Sequence, residues 1–79
     1  MAIQWTPVVS SNLRSVGYDP DTETLQVEFI SGTIYEYDKV PPDLHSGLML
    51  AQSKGMFFAA NIRGNPKQGY VPFNYRRIR

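Results

Sequence analysis

Aromatic rings and fixed positive charges are the chemistry this chain displays. Its closing stretch, Tyr70-Val71-Pro72-Phe73-Asn74-Tyr75-Arg76-Arg77-Ile78-Arg79, interleaves rings with arginines. Rings that stack on bases and cations that hold phosphates are the two ingredients of single-strand nucleic-acid binding. Upstream, Ser53-Lys54-Gly55 opens a predicted helix, where backbone N–H groups with a lysine beside them suit an anionic group. Arg63 follows that helix, and Tyr35-Glu36-Tyr37 puts two more rings on a predicted strand. The candidate ligand-binding residues are therefore Lys54, Arg63, Arg76 and Arg77 for phosphates, with Tyr35, Tyr37 and Tyr75 to stack bases or define an edge. Plainer alternatives stand beside them. Lys54 is equally an exposed lysine next to an ordinary helix cap, and the tail is equally padding for a neighbouring subunit or a frayed end.

Other reactive residue types lead to no site. His45 is the single histidine and the chain has no cysteine, so no second ligand stands near it. It lies off the apolar stripe of its predicted helix and reads as a surface residue. Asp19, Asp21 and Glu23 lack the spacing and the terminal bidentate Glu of a calcium-binding loop, so they read as a solvated turn. No phosphate-binding glycine motif, nucleophile elbow or zinc signature occurs. The Ser53-Lys54 pair has no oriented base or oxyanion donors beside it. The expectation is a non-enzyme with no cofactor and no metal.

The two tyrosines at 35 and 37 depend on a hairpin for their placement. Leu25, Val27 and Phe29 alternate with Gln26 and Glu28, the period of a strand with one buried face. A two-residue Ser31-Gly32 loop would set Tyr35 opposite Glu28 and Tyr37 opposite Gln26, on the polar face. A three-residue Ile30-Ser31-Gly32 loop, with Gly32 in the left-handed region, sets Tyr35 opposite Val27 and Tyr37 opposite Leu25. A slip of one residue flips every side chain. The three-residue loop is preferred because it gathers Leu25, Val27, Phe29, Tyr35 and Tyr37 on one face, and it makes the rings mainly core.

Around that hairpin the rest falls into order. Residues 13–18 form a first strand with Val16 and Tyr18 on one face, and 19–24 form a turn. Val40-Pro41-Pro42 ends the sheet, since proline has no N–H for a ladder. A helix over 42–52 starts on Pro42 and Asp43 and presents Leu44, Leu48 and Ala51 to the core. A second helix over 53–62 is capped by Ser53 and carries Phe58 and Ile62 four apart. Residues 64–69 read as a loop or linker by composition. Trp5, in a stretch that includes Pro7, is expected to be buried, as a lone tryptophan usually is. The predicted class is α+β: a three-stranded antiparallel meander followed by two short helices packed on one face. Residues 1–9 are an arm, 10–64 the domain and 65–79 a basic, aromatic tail.

Seventy-nine residues make one small domain, which buries roughly 60–65% of the surface its unfolded chain exposes. Without cysteine it has no disulfide or thiolate staple, so stability rests on apolar burial, with self-association as a further aid. No apolar run approaches the ~20 residues that span a bilayer, and no signal peptide is evident, so a cytoplasmic setting is expected. Residues 1–39 hold two basic and six acidic side chains, a net −4, whereas residues 40–79 hold six basic and one acidic, a net +5. Either the basic half attracts a polyanion or the halves neutralise each other within a fold or oligomer.

Several short motifs in order resemble one known family. Ser10-Ser11, Val16-Gly17-Tyr18-Asp19, Leu25-Gln26-Val27-Glu28-Phe29, Gly32, Tyr35-Glu36-Tyr37, Val40-Pro41, Ser53-Lys54-Gly55 and Phe57-Phe58-Ala59-Ala60-Asn61-Ile62-Arg63 are similar to the KTSC domain. That domain closes some lysyl-tRNA synthetases and also stands alone in bacteria and phages. The resemblance covers residues 10–63 and leaves the tail outside. It implies RNA binding, with the family's Tyr-x-Tyr motif on Tyr35-Glu36-Tyr37, but brings no synthetase body and hence no automatic tRNA role. Three functions follow: a non-catalytic module for RNA or another nucleic acid, a small homo-oligomer that binds or sequesters a nucleotide-type ligand, or a protein–protein interaction piece that uses Trp5 and the tail. The first is the leading expectation.

Overall fold

A computed structural model describes residues 3–79, so Met1 and Ala2 of the arm lie outside the described residues. The elements are β1 (Gln4–Pro7), β2 (Leu13–Asp19), β3 (Thr24–Phe29), β4 (Ile34–Tyr37), α1 (Pro42–Leu50), α2 (Lys54–Phe58) and β5 (Tyr75–Arg77). All five strands join one antiparallel sheet in the order β1-β2-β3-β4-β5.

The α+β class holds, but the three-stranded meander is corrected to five strands. Both chain ends pair with the sheet, one along each edge. The arm adds β1 beside β2, where Pro7 sits at the end of an edge strand and its missing N–H interrupts no central ladder. The tail adds β5 beside β4, with Tyr35 opposite Arg77, Glu36 opposite Arg76 and Tyr37 opposite Tyr75. Asp38 extends this pairing by donating its N–H to Asn74 O at 2.9 Å.

The hairpin adopts the three-residue loop. Leu25 faces Tyr37, Val27 faces Tyr35 and Glu28 faces Ile34. Gly32, at φ +96°, donates to Phe29 O at 2.9 Å, and Phe29 donates to Thr33 O at 2.9 Å. Glycine reaches that left-handed backbone without a Cβ clash. The register sends Leu25, Val27 and Tyr37 into the core, with Phe29 and Tyr35 at its margin.

The helices cover this inner face. In α1, Pro42 and Asp43 lie in the first turn as expected and Leu48 is fully buried, although the helix stops at Leu50. Ser53 Oγ accepts from Met56 N at 3.3 Å and so caps α2. The predicted second helix divides: after Phe58 the backbone widens into a π-helical turn over Ala59–Arg63, closed by Gly64 N–H donating to Ala59 O at 3.1 Å. Phe58 and Ile62 both remain buried across this change. They complete a core with Leu13, Val16, Tyr18, Leu25, Val27, Tyr37, Val40 and Leu48.

Two further expectations are corrected. Trp5 is 41% exposed, because its indole lies on the uncovered outer face of the sheet over Gly17. His45 is half-buried rather than a surface residue, and it stacks on Tyr18 with ring centroids 4.2 Å apart and planes 8° off parallel. Tyr18 is itself fixed by donating its hydroxyl to Val40 O at 2.6 Å.

Candidate functional site

The inner face is sealed by helices over most of the sheet but opens at the β4–β5 end. Cross-strand pairing puts Tyr75 beside Tyr37, their rings stacked 5.7 Å apart at 27°. Tyr35 meets Tyr75 and Phe29 edge-on, each at 6.0 Å. Phe29 and Tyr37 pack edge-on against the buried Phe58 at 5.7 and 5.6 Å. Edge-to-face contacts at such spacings suit the ring quadrupoles. The cluster therefore grades outward, from Phe58 in the core to Tyr75, which is 42% exposed.

Between these rings lies a cleft of about 130 Å³, lined by Phe29, Tyr35, Tyr37, Arg63, Pro66 and Tyr75. Burial pushes the Tyr37 hydroxyl up to about 12, with Tyr35 and Tyr75 adding to the effect and the Arg63 guanidinium pulling the other way. Tyr37 thus stays a neutral phenol at physiological pH.

A second, wider cleft of about 450 Å³ adjoins the first and is lined by Arg63, Gly64, Asn65, Pro66 and Lys67. Gly64, at φ +68°, turns the chain out of the π-helical turn, and a 3-10 turn over Pro66–Gln68 follows. This loop is ordered by a reciprocal pair of bonds: Asn65 N to Tyr70 O at 2.7 Å and Tyr70 N to Asn65 O at 3.0 Å. Arg63 and Pro66 line both clefts.

The seven candidate residues thus separate. Tyr35, Tyr37, Tyr75 and Arg63 converge on one cleft. Arg77 stands opposite Tyr35 on the same face, with its Nε donating to Arg79 O at 3.3 Å. Arg76 points to the other side of the sheet, where Glu36 and Asp38 hold it, the latter at 2.8 Å. Lys54 donates to Ala51 O at 3.1 Å and lines neither cleft. Phe29, Pro66 and Lys67 belong to the site although their residue types did not single them out. Phe29 carried a strand-core signal, and loop composition says nothing about where Lys67 is placed.

The charge asymmetry is partly resolved inside the fold. Glu28, Glu36 and Asp38 of the acidic half are paired with Arg79 and Arg76 of the basic half. Among the described residues Arg63 and Lys67 have no carboxylate partner. A larger cleft of about 470 Å³ crosses the outer face between Trp5, Arg14, Ile34 and Arg79. Its polar groups are engaged within the fold: Glu28 accepts from Ser15 and Arg79, each at 2.8 Å, and Arg14 donates to Ile30 O at 2.9 Å. Size favours the outer cleft, which also sets an exposed ring, Trp5, near Arg14. The inner side gathers more rings, Phe29, Tyr35, Tyr37 and Tyr75, with Arg63 and the adjoining Lys67. No cluster of metal-ligating side chains occurs among the described residues, and none of the described helices is long and apolar enough to cross a membrane.

The KTSC domain family matches residues 9–65 of the chain. The chain belongs to this family. A protein of Stutzerimonas stutzeri, described as uncharacterized, is 43% identical over 67 residues, which cover 85% of this chain and 83% of that protein. A lysine–tRNA ligase of Nostoc punctiforme is 44% identical over 57 residues, 72% of this chain but only 10% of the ligase. The crystal structure of a KTSC domain protein from Yersinia pestis superposes with a TM-score of 0.85 at 40% identity, covering 98% of this chain and 99% of that one. That match takes in both edge strands, whereas the family match ends before Pro66. The KTSC domain proper therefore supplies Phe29, Tyr35, Tyr37 and Arg63, and the segment after it supplies Pro66, Lys67 and Tyr75.

Proposed function

We propose that this KTSC domain is a non-catalytic module that binds single-stranded RNA or a related nucleic acid at the inner cleft. The observation that carries the reading is one cleft lined both by partly open rings, Tyr35 and Tyr75, and by Arg63, a cation that has no carboxylate partner among the described residues. Such rings offer faces on which bases stack, while cations follow the phosphates. Arg77, on the same face beside Tyr35, extends the positive edge. Support also comes from the relatives: a similar stretch, 42–46% identical over 57 residues, occurs within proteins named lysine–tRNA ligase, whose name places them with an RNA. The family description and the name of the Yersinia structure specify a domain and no reaction.

Fluorescence anisotropy of a labelled single-stranded RNA, titrated at low and physiological salt, tests the proposal. Binding that weakens steeply with salt, and that Arg63→Ala diminishes, is the expected result. Absence of binding at low salt would sink it.

A further inference from the structure

We infer that the two clefts joined at Arg63 and Pro66 form a one-nucleotide site selective for pyrimidines, the aromatic cleft taking the base and the wider cleft its phosphate through Arg63 and Lys67. The inference deepens the nucleic-acid reading above and rests on it.

Size argues for the ring. A cavity of about 150 Å³ accepts one benzene ring, and drug-sized ligands need roughly 300–1,000 Å³. The aromatic cleft, at about 130 Å³, is therefore nearer the size of a single six-membered ring than of a drug-sized ligand. A uracil or cytosine fits that description. A purine would leave its second ring in solvent and forgo part of the contact with Phe29, Tyr35 and Tyr75.

Chemistry assigns the other cleft. It adjoins the base cleft, is wider at about 450 Å³, and is lined by two cations with no acid among its residues. Two of its backbone donors are already engaged: Gly64 N–H bonds Ala59 O and Asn65 N–H bonds Tyr70 O. Pro66 has none. Anion recognition thus falls chiefly to the Arg63 and Lys67 side chains, with the Asn65 amide beside them. An aromatic-lined cleft next to a cationic one matches a base joined through its sugar to a phosphate.

The test titrates labelled oligouridylate and oligoadenylate of equal length, then displaces the labelled oligouridylate with UMP, AMP and inorganic phosphate. Lys67 lies exposed in a short turn, so Lys67→Ala keeps the fold. Oligouridylate should bind roughly fivefold or more tightly than oligoadenylate, UMP should displace it at lower concentration than AMP, and phosphate alone should do so poorly. Removing one phosphate contact in Lys67→Ala should reduce the logarithmic salt slope by about 0.7. Equal affinity for both oligomers and equal displacement by UMP and AMP would overturn the pyrimidine assignment and leave the RNA reading standing. So would an unchanged salt slope in Lys67→Ala, for the phosphate assignment, if Arg63→Ala still weakens binding. Failure of both oligomers to bind at low salt would overturn the broader reading together with this one.

Discussion

Tyr37 and Tyr75 stack across β4 and β5 with ring centroids 5.7 Å apart. That pair joins the family's Tyr-x-Tyr motif to the tail beyond the family match, so the cleft exists only while β5 is docked. Tyr37 is the buried member and Tyr75 the exposed wall. The contribution of β5 is therefore first to build the site: Tyr75 lines it, and Arg77 stands on the same face.

Arg76 follows from this as a positioning residue. Its guanidinium ties β5 to Glu36 and Asp38 on the face opposite the cleft. Half-exposed ion pairs contribute little individually, so Arg76→Ala should lower stability in urea titrations by about 0.5–1 kcal/mol. RNA affinity should fall as β5 loosens, while the salt slope stays near that of the parent. Arg63→Ala should reduce that slope, because it removes a phosphate contact.

Alkaline pH should destabilise the domain through Tyr37. Its folded value of about 12 lies above the ordinary 10.0, so the native state retains the proton longer than the unfolded chain does. The stabilisation is complete below pH 10 and is lost as pH rises from 10 towards 12. Tyr37→Phe should flatten the stability profile in that window, although the raised value of Tyr18 leaves a residual slope. Denaturation curves at stepped pH, with phenolate absorbance as a second readout, check both statements.

His45 should act at the acid side. Burial against Tyr18 lowers its value below the ordinary 6.5, so the unfolded chain takes up the proton first. Its stabilising contribution is present above pH 6.5 and declines as pH falls through that value to the folded one. His45→Phe keeps a ring on Tyr18 and should remove this component of the pH dependence in thermal melts between pH 8 and 5.

These residues mark what the sequence made legible. The β3–β4 hairpin was readable because one register alone collects five apolar side chains on one face, and Gly32 fits the turn it requires. The edge strands were not. Gln4–Pro7 and Tyr75–Arg77 are exposed and too short to show alternation, and what places them is pairing with residues far along the chain. The same distance hid the fate of Arg76: an arginine type announces a charge, but Glu36 and Asp38 become its partners only after β5 meets β4. Tyr35, Tyr37, Tyr75 and Arg63 were recognisable by type, whereas Lys67 entered the site through the turn at Gly64 and the Asn65–Tyr70 bonds, which composition does not encode.

The most direct measurement is an amide correlation spectrum of the nitrogen-labelled domain, titrated with oligouridylate at low salt. Binding at the inner cleft should concentrate the shift changes on Phe29, Tyr35, Tyr37, on residues 63–67 and on β5. Changes centred instead on Trp5, Arg14 and Arg79 of the outer face, or no changes at all, would contradict the account.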